Sequence, residues 1–336
     1  MLRSLRRYCY RRLIRSDRLQ GLFRHSIAVE QERRNFVSRF TIDNRIRGYH
    51  RAILVVAGYK PWLWNDTLAR IKRFAPAESD VCIVSPGLRS ESLGRLCSSY
   101  GWSYLVTPDN KLALAQNLAI ERHPRALLIH KLDEDIFVSG GYFEALEAGL
   151  LKIRALDVCD PGLTVPVLNV NGYSYRVFLE IIGKLDAYRT TFGESKISCM
   201  DVRAWKDGDA SFWLWERSLP FDKVSAEFAA GEFSYSLVPH RFSIGAILIE
   251  REMWQRIGGF SVGSDGALGY EEEHLCAQCM TLSRPIVCIH NALAGHFAFH
   301  PQERFMREQS SVLRALDGTL VLQQSDDASL LLSRTA

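Results

Sequence analysis

Two aspartates separated by a single residue are the strongest candidates for chemistry in this chain. Asp133-Glu134-Asp135 follows the apolar run 126–129. Because side chains alternate along a strand, we expect Asp133 and Asp135 to point to one side of a sheet edge and Glu134 to the other. Hard oxygen ligands of this kind suit Mg²⁺ or Mn²⁺, which bind one or two carboxylates together with phosphate oxygens and water. The triplet therefore predicts a metal and diphosphate site, and a solvated acidic turn is the alternative.

Strands and helices must alternate to bring this triplet to a sheet edge, and the sequence upstream has that pattern. Apolar runs ending in glycine or proline predict strands, and stretches with helical spacing of apolar residues predict helices. The predicted strands are 52–57, 80–85, 102–106 and the one that carries the triplet, and the predicted helices are 64–74, 90–100 and 112–121. Strands buried on both faces between helices indicate a mostly parallel sheet. In such a sheet ligands bind beyond the carboxyl ends of the strands.

Three segments resemble motifs of the nucleotide-sugar glycosyltransferases of the GT-A fold, most closely those of the inverting family 2. HKLDEDIFVSGGYFEAL, residues 130–146, is similar to the metal-binding acidic motif and the helix after it. FSIGAILIEREMWQRIGGF, residues 242–260, and GYEEEHLCAQC, residues 269–279, resemble two later motifs, the second of them Glu-Asp-x-Asp-Leu. The resemblance covers about residues 52–301. It implies an α/β fold of the GT-A type, Rossmann-like with a mostly parallel sheet flanked by helices.

The resemblance also implies an activity and a metal site. The chain is expected to transfer a hexosyl group, with inversion, from a nucleotide-diphosphate donor, first of all a UDP-sugar, to a glycan or glycolipid acceptor in surface polysaccharide synthesis. Asp135 is expected to coordinate Mn²⁺ or Mg²⁺, and Asp133 to reach the ribose or a metal-bound water. His296, after the strand-like stretch 285–289, is the expected third ligand, with His300 as the alternative.

Glu272 lies at the place of the family's catalytic aspartate. There a carboxylate takes the proton from the attacking hydroxyl, and a half-apolar segment would raise its pKa. Because Glu-Glu-Glu-His replaces Glu-Asp-x-Asp, Glu271 and Glu273 remain open as the base. Acids at a helix start also interact favourably with the helix dipole. The glycine-rich segment 263–269 that precedes them is expected to be a lid or an ordinary surface loop.

The nucleotide is expected to contact residues at the carboxyl ends of the strands and in the helix after the third strand. These candidates are Ala57, Gly58, Tyr59, Ser85, Asp109, Asn117 and Asp133. Gln116-Asn117 stands where family members often carry Arg-Asn, which leaves one positive charge fewer near the donor.

Positive charge is concentrated in the first 51 residues. They contain 14 Arg and no Lys against four acidic residues, a balance of +10 in a chain whose net charge is +4, so the rest of the chain carries −6. Leucine and aromatic residues interleave with these arginines, which favours a helical arm on an anionic membrane surface. A solvated or partner-binding helix and a nucleic-acid contact are the alternatives, and the acidic body disfavours nucleic acid.

These patterns divide the chain into three parts. They are a basic N-terminal arm, 1–50; a glycosyltransferase domain, 51–310, with a nucleotide-binding half (51–150) and an acceptor and catalytic half (151–310); and a C-terminal tail, 311–336. No stretch approaches the roughly 18 apolar residues that a membrane span requires. Eight scattered cysteines favour reduced thiols. We therefore expect a cytoplasmic protein peripheral to the inner membrane face.

Two other functions fit part of the pattern. A sugar-1-phosphate nucleotidyltransferase would need a glycine-rich phosphate loop with Arg and Lys after the first strand, which Gly58-Tyr59-Lys60-Pro61 does not supply. A catalytically inactive GT-A scaffold at the membrane is disfavoured by the acids at 133, 135 and 272. A glycosyltransferase is therefore the prediction.

Overall fold

The computed structural model describes residues 39–198, 201–262, 270–297 and 302–317. Several predictions concern residues outside these ranges. They are the first 38 residues of the basic arm, the glycine-rich segment 263–269, the alternative ligand His300 and residues 318–336 of the tail.

One sheet organises the described chain. Its strands are β1 (Thr41–Asp43), β2 (Arg51–Val56), β3 (Ser79–Pro86), β4 (Ser103–Thr107), β5 (Leu128–Asp133), β6 (Ile136–Phe137), β7 (Leu163–Leu168), β8 (Tyr235–Leu237), β9 (Ala246–Glu250) and β10 (Ile286–His296). The order is β1-β4-β3-β2-β5-β9-β7-β10-β6, and β8 pairs with β10. Strands β2, β3, β4, β5, β7 and β10 run in one direction, and the other described strands run against them. The prediction of a mostly parallel α/β sheet is confirmed.

Helices connect and cover the strands. They are α1 (Trp64–Phe74), α2 (Glu91–Tyr100), α3 (Leu112–Arg122), α4 (Tyr142–Ala155), α5 (Ser174–Ile181), α6 (Leu185–Phe192), α7 (Arg203–Lys206), α8 (Gly208–Arg217), α9 (Phe221–Ala230), α10 (Arg251–Arg256), α11 (Tyr270–Thr281) and α12 (Glu303–Leu316). A 3₁₀ turn, Pro61–Leu63, precedes α1.

The first half of the fold follows the predicted alternation of strands and helices. Strand β2 is an almost entirely buried apolar run, and α1 has the predicted bounds. Helix α2 begins after Ser90, whose hydroxyl accepts a hydrogen bond from the Leu93 backbone N–H at 3.3 Å. It ends at Gly101, which has φ of 73°, a conformation that favours glycine. Local chemistry therefore determines where these elements begin and end.

Strand β5 lies in the middle of the sheet, between parallel β2 and antiparallel β9. A polar network holds β5 against the helix that covers it. Glu147, on α4, accepts hydrogen bonds from Arg51 at 2.5 and 2.6 Å and contacts His130 Nε2 at 2.9 Å. Arg51 begins β2 and His130 lies in β5. The same network thus ties both strands to the helix that covers them.

The ends of the globular part differ from the predicted boundaries. Strand β1 falls inside the predicted arm of residues 1–50, yet it pairs with β4 as an edge strand of the sheet. Helix α12 crosses the predicted start of the tail at residue 311, and its Leu313 is buried. Among the described residues, no helix is long and apolar enough to cross a membrane.

Candidate active site

The acidic triplet lies where β5 leaves the sheet. Asp133 is the last residue of β5, and the chain turns through Glu134 and Asp135 into the short strand β6. The backbone N–H of Asp133 donates to the Gly245 carbonyl at 2.8 Å, just before β9 begins. A Cβ at Gly245 would lie 3.3 Å from Asp133 Oδ2, so a side chain there would crowd the carboxylate. The triplet thus lies at the carboxyl end of β5, on the side of the sheet formed by the carboxyl ends of the parallel strands.

Glu134 holds the loop that follows β2. Its carboxylate accepts hydrogen bonds from the backbone N–H groups of Gly58 (3.0 Å) and Tyr59 (3.0 Å) and from Trp64 Nε1 (2.6 Å). Burial raises the pKa of Glu134, and these hydrogen bonds oppose the rise. The side chain is only 6% exposed. Glu134 is therefore a positioning residue for the loop rather than a solvated acid.

Asp135 is buried and paired with a lysine. Its Oδ2 forms an ion pair with Lys60 Nζ, from the same loop after β2, and lies 3.7 Å from His296 Nε2. Side-chain exposure is 3% for Asp135 and 17% for Lys60. Burial would raise the pKa of Asp135, but the adjacent Lys60 ammonium group opposes it, and that pKa lies below its ordinary value. Asp135 is therefore an anion with a cation already against it.

Asp133 is more accessible and has a lysine of its own. Lys131, two residues earlier on the same face of β5, donates from Nζ to Asp133 Oδ1 at 2.6 Å and to the Ile244 carbonyl at 2.8 Å. The Asp133 side chain remains 36% exposed. Each aspartate of the triplet therefore faces its own ammonium group.

His296 ends β10 and is held from three directions. Its backbone N–H donates to Asn169 Oδ1 at 2.9 Å, and its carbonyl accepts from Trp215 Nε1 at 2.9 Å. Its Nδ1 lies 3.2 Å from the Val170 carbonyl, and because a carbonyl only accepts, this contact requires a proton on Nδ1. Burial lowers the pKa of His296, and the charge of Asp135, whose Oδ2 lies 3.7 Å from Nε2, opposes that shift.

As the side chains stand, this set does not fit a divalent cation. Asp133, Asp135 and His296 lie around one edge, but within the described ranges no three His, Cys, Asp or Glu side chains converge closely enough to hold a metal. The ammonium group of Lys60 lies against the Asp135 carboxylate, where the metal was expected. Metal binding by these residues stays a prediction, and it would require Lys60 to move away.

The three glutamates of the later motif begin α11, in agreement with a helix-start role. Both oxygens of Glu272 are engaged, one by Arg241 Nε and the other by the backbone N–H of Ile244 at 3.0 Å. Glu273 also pairs with Arg241, at 2.6 Å, but it is largely exposed. Burial raises the pKa of Glu272, in the predicted direction, despite the opposing charge of Arg241.

Glu271 is buried near Asp133, the first acid of the triplet. It is 6% exposed, and burial raises its pKa, while the neighbouring charges are Lys131, Asp133 and Glu272. Within the described residues it forms no ion pair within 4 Å. Glu271 therefore remains a second candidate for the base, with its carboxylate less constrained than that of Glu272.

The predicted nucleotide contacts are divided between the surface and the interior. Gly58 and Tyr59 form the loop held by Glu134, and the Tyr59 ring is 51% exposed. Asp109 is also exposed. In contrast, Ala57 is buried, and so is Ser85, whose hydroxyl donates to the Ala57 carbonyl. The exposed members of this set can reach a ligand directly.

Asn117 is fully buried and shapes a turn. Its Oδ1 accepts from Trp254 Nε1 at 3.0 Å and from the Phe260 backbone N–H at 2.8 Å, and its Nδ2 donates to the Phe260 carbonyl. A Cβ at Gly259, where φ is 83°, would come within 3.0 Å of Asn117 Oδ1. Asn117 thus holds the Ile-Gly-Gly-Phe segment, residues 257–260, in place. Its contact with a nucleotide stays a prediction.

Sequence reasoning did not single out the cations of this site. Lys60, Lys131 and Arg241 each contact an acid of the predicted motifs. Of these contacts, only that between Lys131 and Asp133 could have been predicted from the sequence, because residues two apart in a strand share a face. The other two contacts join segments that are far apart in the sequence.

No known protein-family profile and no curated protein sequence matches this chain. Two similar solved structures are GalNAc-T7 with UDP, GalNAc and Mn²⁺ and the mannosyltransferase PcManGT from Pyrobaculum calidifontis with GDP-Man and Mn²⁺. The first is 12% identical, with a TM-score of 0.46, over 76% of this chain and 45% of GalNAc-T7, so the chain spans less than half of that protein. The second is 11% identical, with a TM-score of 0.45, over 92% of this chain and 82% of the mannosyltransferase. Likenesses at this level leave the function to be inferred from the site itself.

Proposed function

We propose that this chain is a GT-A glycosyltransferase that moves a sugar from a nucleoside diphosphate to an acceptor hydroxyl. The observation that carries the proposal is the contact between the two acidic motifs. Lys131 bonds both Asp133 and the Ile244 carbonyl, and the Ile244 N–H bonds Glu272. Carboxylates from the end of β5 and the start of α11 thus lie together at the carboxyl ends of the parallel strands, where ligands bind in such sheets.

The loop after β2 supports binding of the nucleotide. Glu134 fixes the backbone of Gly58 and Tyr59, and the Tyr59 hydroxyl donates to the Pro86 carbonyl at 2.7 Å. This leaves the Tyr59 ring half-exposed and oriented, as suits stacking against a nucleobase. A UDP-sugar is the first donor to test, followed by GDP- and CDP-sugars.

The proposed chemistry is a displacement at the anomeric carbon. A carboxylate of α11 takes the proton of the acceptor hydroxyl as that oxygen bonds to the anomeric carbon. The bond from that carbon to the phosphate oxygen breaks, and its electron pair leaves with the nucleoside diphosphate. Glu272 is the proposed base and Glu271 the alternative, and one displacement of this kind inverts the anomeric configuration.

The leaving diphosphate gains negative charge as the bond breaks, and fixed cations stabilise such charge. Lys60 and Lys131 are cations that contact the triplet.

We also propose that the reaction belongs to the synthesis of a surface polysaccharide or glycolipid. In this proposal the basic N-terminal arm binds the anionic inner face of a membrane. Residues 1–38 of that arm lie outside the described residues.

Ligand-observed NMR of the full-length protein with UDP-, GDP- and CDP-sugars tests the proposal. Signals of one nucleotide class should show saturation transfer that the matching nucleoside diphosphate competes away. Tyr59→Ala should weaken that binding. Leu127→Ala, which removes a 61% exposed apolar side chain at the opposite end of β5, is the control and should not weaken it. Absence of binding by every donor, with and without Mn²⁺, would leave an inactive scaffold as the better interpretation.

A further inference from the structure

The pairing of Lys60 with Asp135 carries an inference that rests on the proposed function. Lys60 precedes the 3₁₀ turn Pro61–Leu63, in the loop that Glu134 holds at Gly58 and Tyr59. Its stem is therefore anchored beside the acidic edge, and its ammonium group reaches Asp135 in a nearly closed environment. A surface lysine that happened to lie nearby would have neither this anchoring nor this burial.

Asp135 defines a place that needs a positive charge. Its side chain is only 3% exposed, and a buried carboxylate is costly to fold unless a cation lies beside it. Lys60 provides that cation, and His296 Nε2 lies 3.7 Å from the same carboxylate.

The lysine side chain suits a second role at the same place. A lysine is a compact point charge with three donors on a flexible stem of four carbons, and lysine binds phosphate in this way in other sites. Lys131 forms an ion pair with Asp133, and Lys60 forms one with Asp135. The negative charge of the two aspartates is therefore neutralised before a diphosphate binds beside them. Lys60 can then donate to a phosphate oxygen while it stays within reach of Asp135.

We propose that Lys60 is the cation of the donor site, occupying the position expected for a metal and binding the donor diphosphate itself. Nucleotide binding by the wild-type protein is then independent of divalent cations. Removal of the Lys60 charge leaves the buried Asp135 carboxylate without the cation that faces it. A divalent cation that binds one carboxylate together with phosphate oxygens and water can take that place, so the variant gains the metal dependence that the wild type lacks.

Calorimetric titration of the full-length protein with UDP and GDP, in EDTA and in Mn²⁺, tests this proposal. Wild-type affinity for the nucleotide it binds should differ by less than about threefold between the two conditions. The nucleotide affinity of Lys60→Met should be at least about tenfold lower than that of the wild type in EDTA, and Mn²⁺ should restore it. Lys60→Arg should retain binding in EDTA because it keeps the charge, and Lys223→Met, which removes an exposed lysine on α9, should match the wild type.

Electron paramagnetic resonance of free Mn²⁺ gives a second measurement that needs no nucleotide. Lys60→Met should bind Mn²⁺ more tightly than the wild type does. The proposal is overturned if EDTA abolishes nucleotide binding by the wild type and Mn²⁺ restores it, a result that needs no variant to fold. If the wild type binds neither nucleotide in EDTA or in Mn²⁺, it is the proposed glycosyltransferase function that fails.

Discussion

Replacing Glu134 by glutamine should loosen the loop that carries the proposed nucleotide contacts. The Glu134 carboxylate accepts from Gly58, Tyr59 and Trp64 and is nearly buried. Glutamine has almost the same shape but only one acceptor oxygen. If that oxygen keeps the bonds to Gly58 and Trp64, the new amide NH₂ group faces the N–H of Tyr59, so two donors meet in a largely buried site.

The size of the effect follows from these contacts. A hydrogen bond to a charged acceptor contributes about 1.5–3 kcal/mol, and Glu134→Gln loses one such bond and weakens two others. Removing a buried charge offsets part of this loss, so we expect a net decrease of about 1–3 kcal/mol in the free energy of unfolding. At about 2–4 °C per kcal/mol for large domains, the thermal midpoint should fall by roughly 2–12 °C.

Urea unfolding and thermal melts measure this loss, and calorimetry with the bound nucleotide measures its consequence for the loop. The affinity should fall at least about threefold because the loop is no longer preorganised. Glu227→Gln, an exposed position on α9, is the matched control and should change stability by less than about 0.5 kcal/mol. A Glu134→Gln protein with wild-type stability and affinity would show that this carboxylate does not hold the loop.

Two further predictions concern carboxylates of α11 and α4. Glu272→Gln should reduce sugar transfer at least about 100-fold, as loss of a general base does, while donor affinity measured by calorimetry stays near that of the wild type; a loss confined to Glu271→Gln would assign the base to Glu271. Burial would raise the pKa of Glu147, but hydrogen bonds from Arg51 and His130 outweigh it and hold that pKa at about 2, against an ordinary value of 4.5. Because the pair is partly solvent-exposed, this contribution is at most about 3 kcal/mol. It is present above pH 4.5 and lost as the pH falls towards 2, so the stability difference between wild type and Glu147→Gln in urea titrations should shrink over that range. A difference that stays constant with pH would contradict the linkage.

The strands and helices of the first half of the fold could be predicted from sequence because their signals are local. Apolar runs such as that of β2 and the cap at Ser90 depend on residues within a few positions. The order of strands in the second half could not be predicted. Antiparallel β9 is inserted between β5 and β7, and such pairing depends on contacts between distant segments.

The site shows the same division. Alternation of side chains predicted that Glu134 would point away from Asp133 and Asp135. Strand β5 ends at Asp133, however, and the pattern did not reveal the loop that Glu134 binds. The pairing of Lys60 with Asp135 was not predictable, because it depends on how the loop after β2 folds back over the end of β5. Asn117 was expected at the nucleotide, and its burial against Phe260 follows from tertiary packing that no local pattern contains.

Phosphorus NMR of the products formed from a nucleotide sugar tests the proposed glycosyl transfer most directly. The full-length protein would be incubated with the donor it binds, with water or a simple sugar as acceptor, and the phosphorus signals followed over time. Cleavage between the anomeric carbon and the phosphate oxygen should release the intact nucleoside diphosphate, and Glu272→Gln should suppress that release. Formation of sugar 1-phosphate, or no conversion of a donor that binds, would contradict the proposed function.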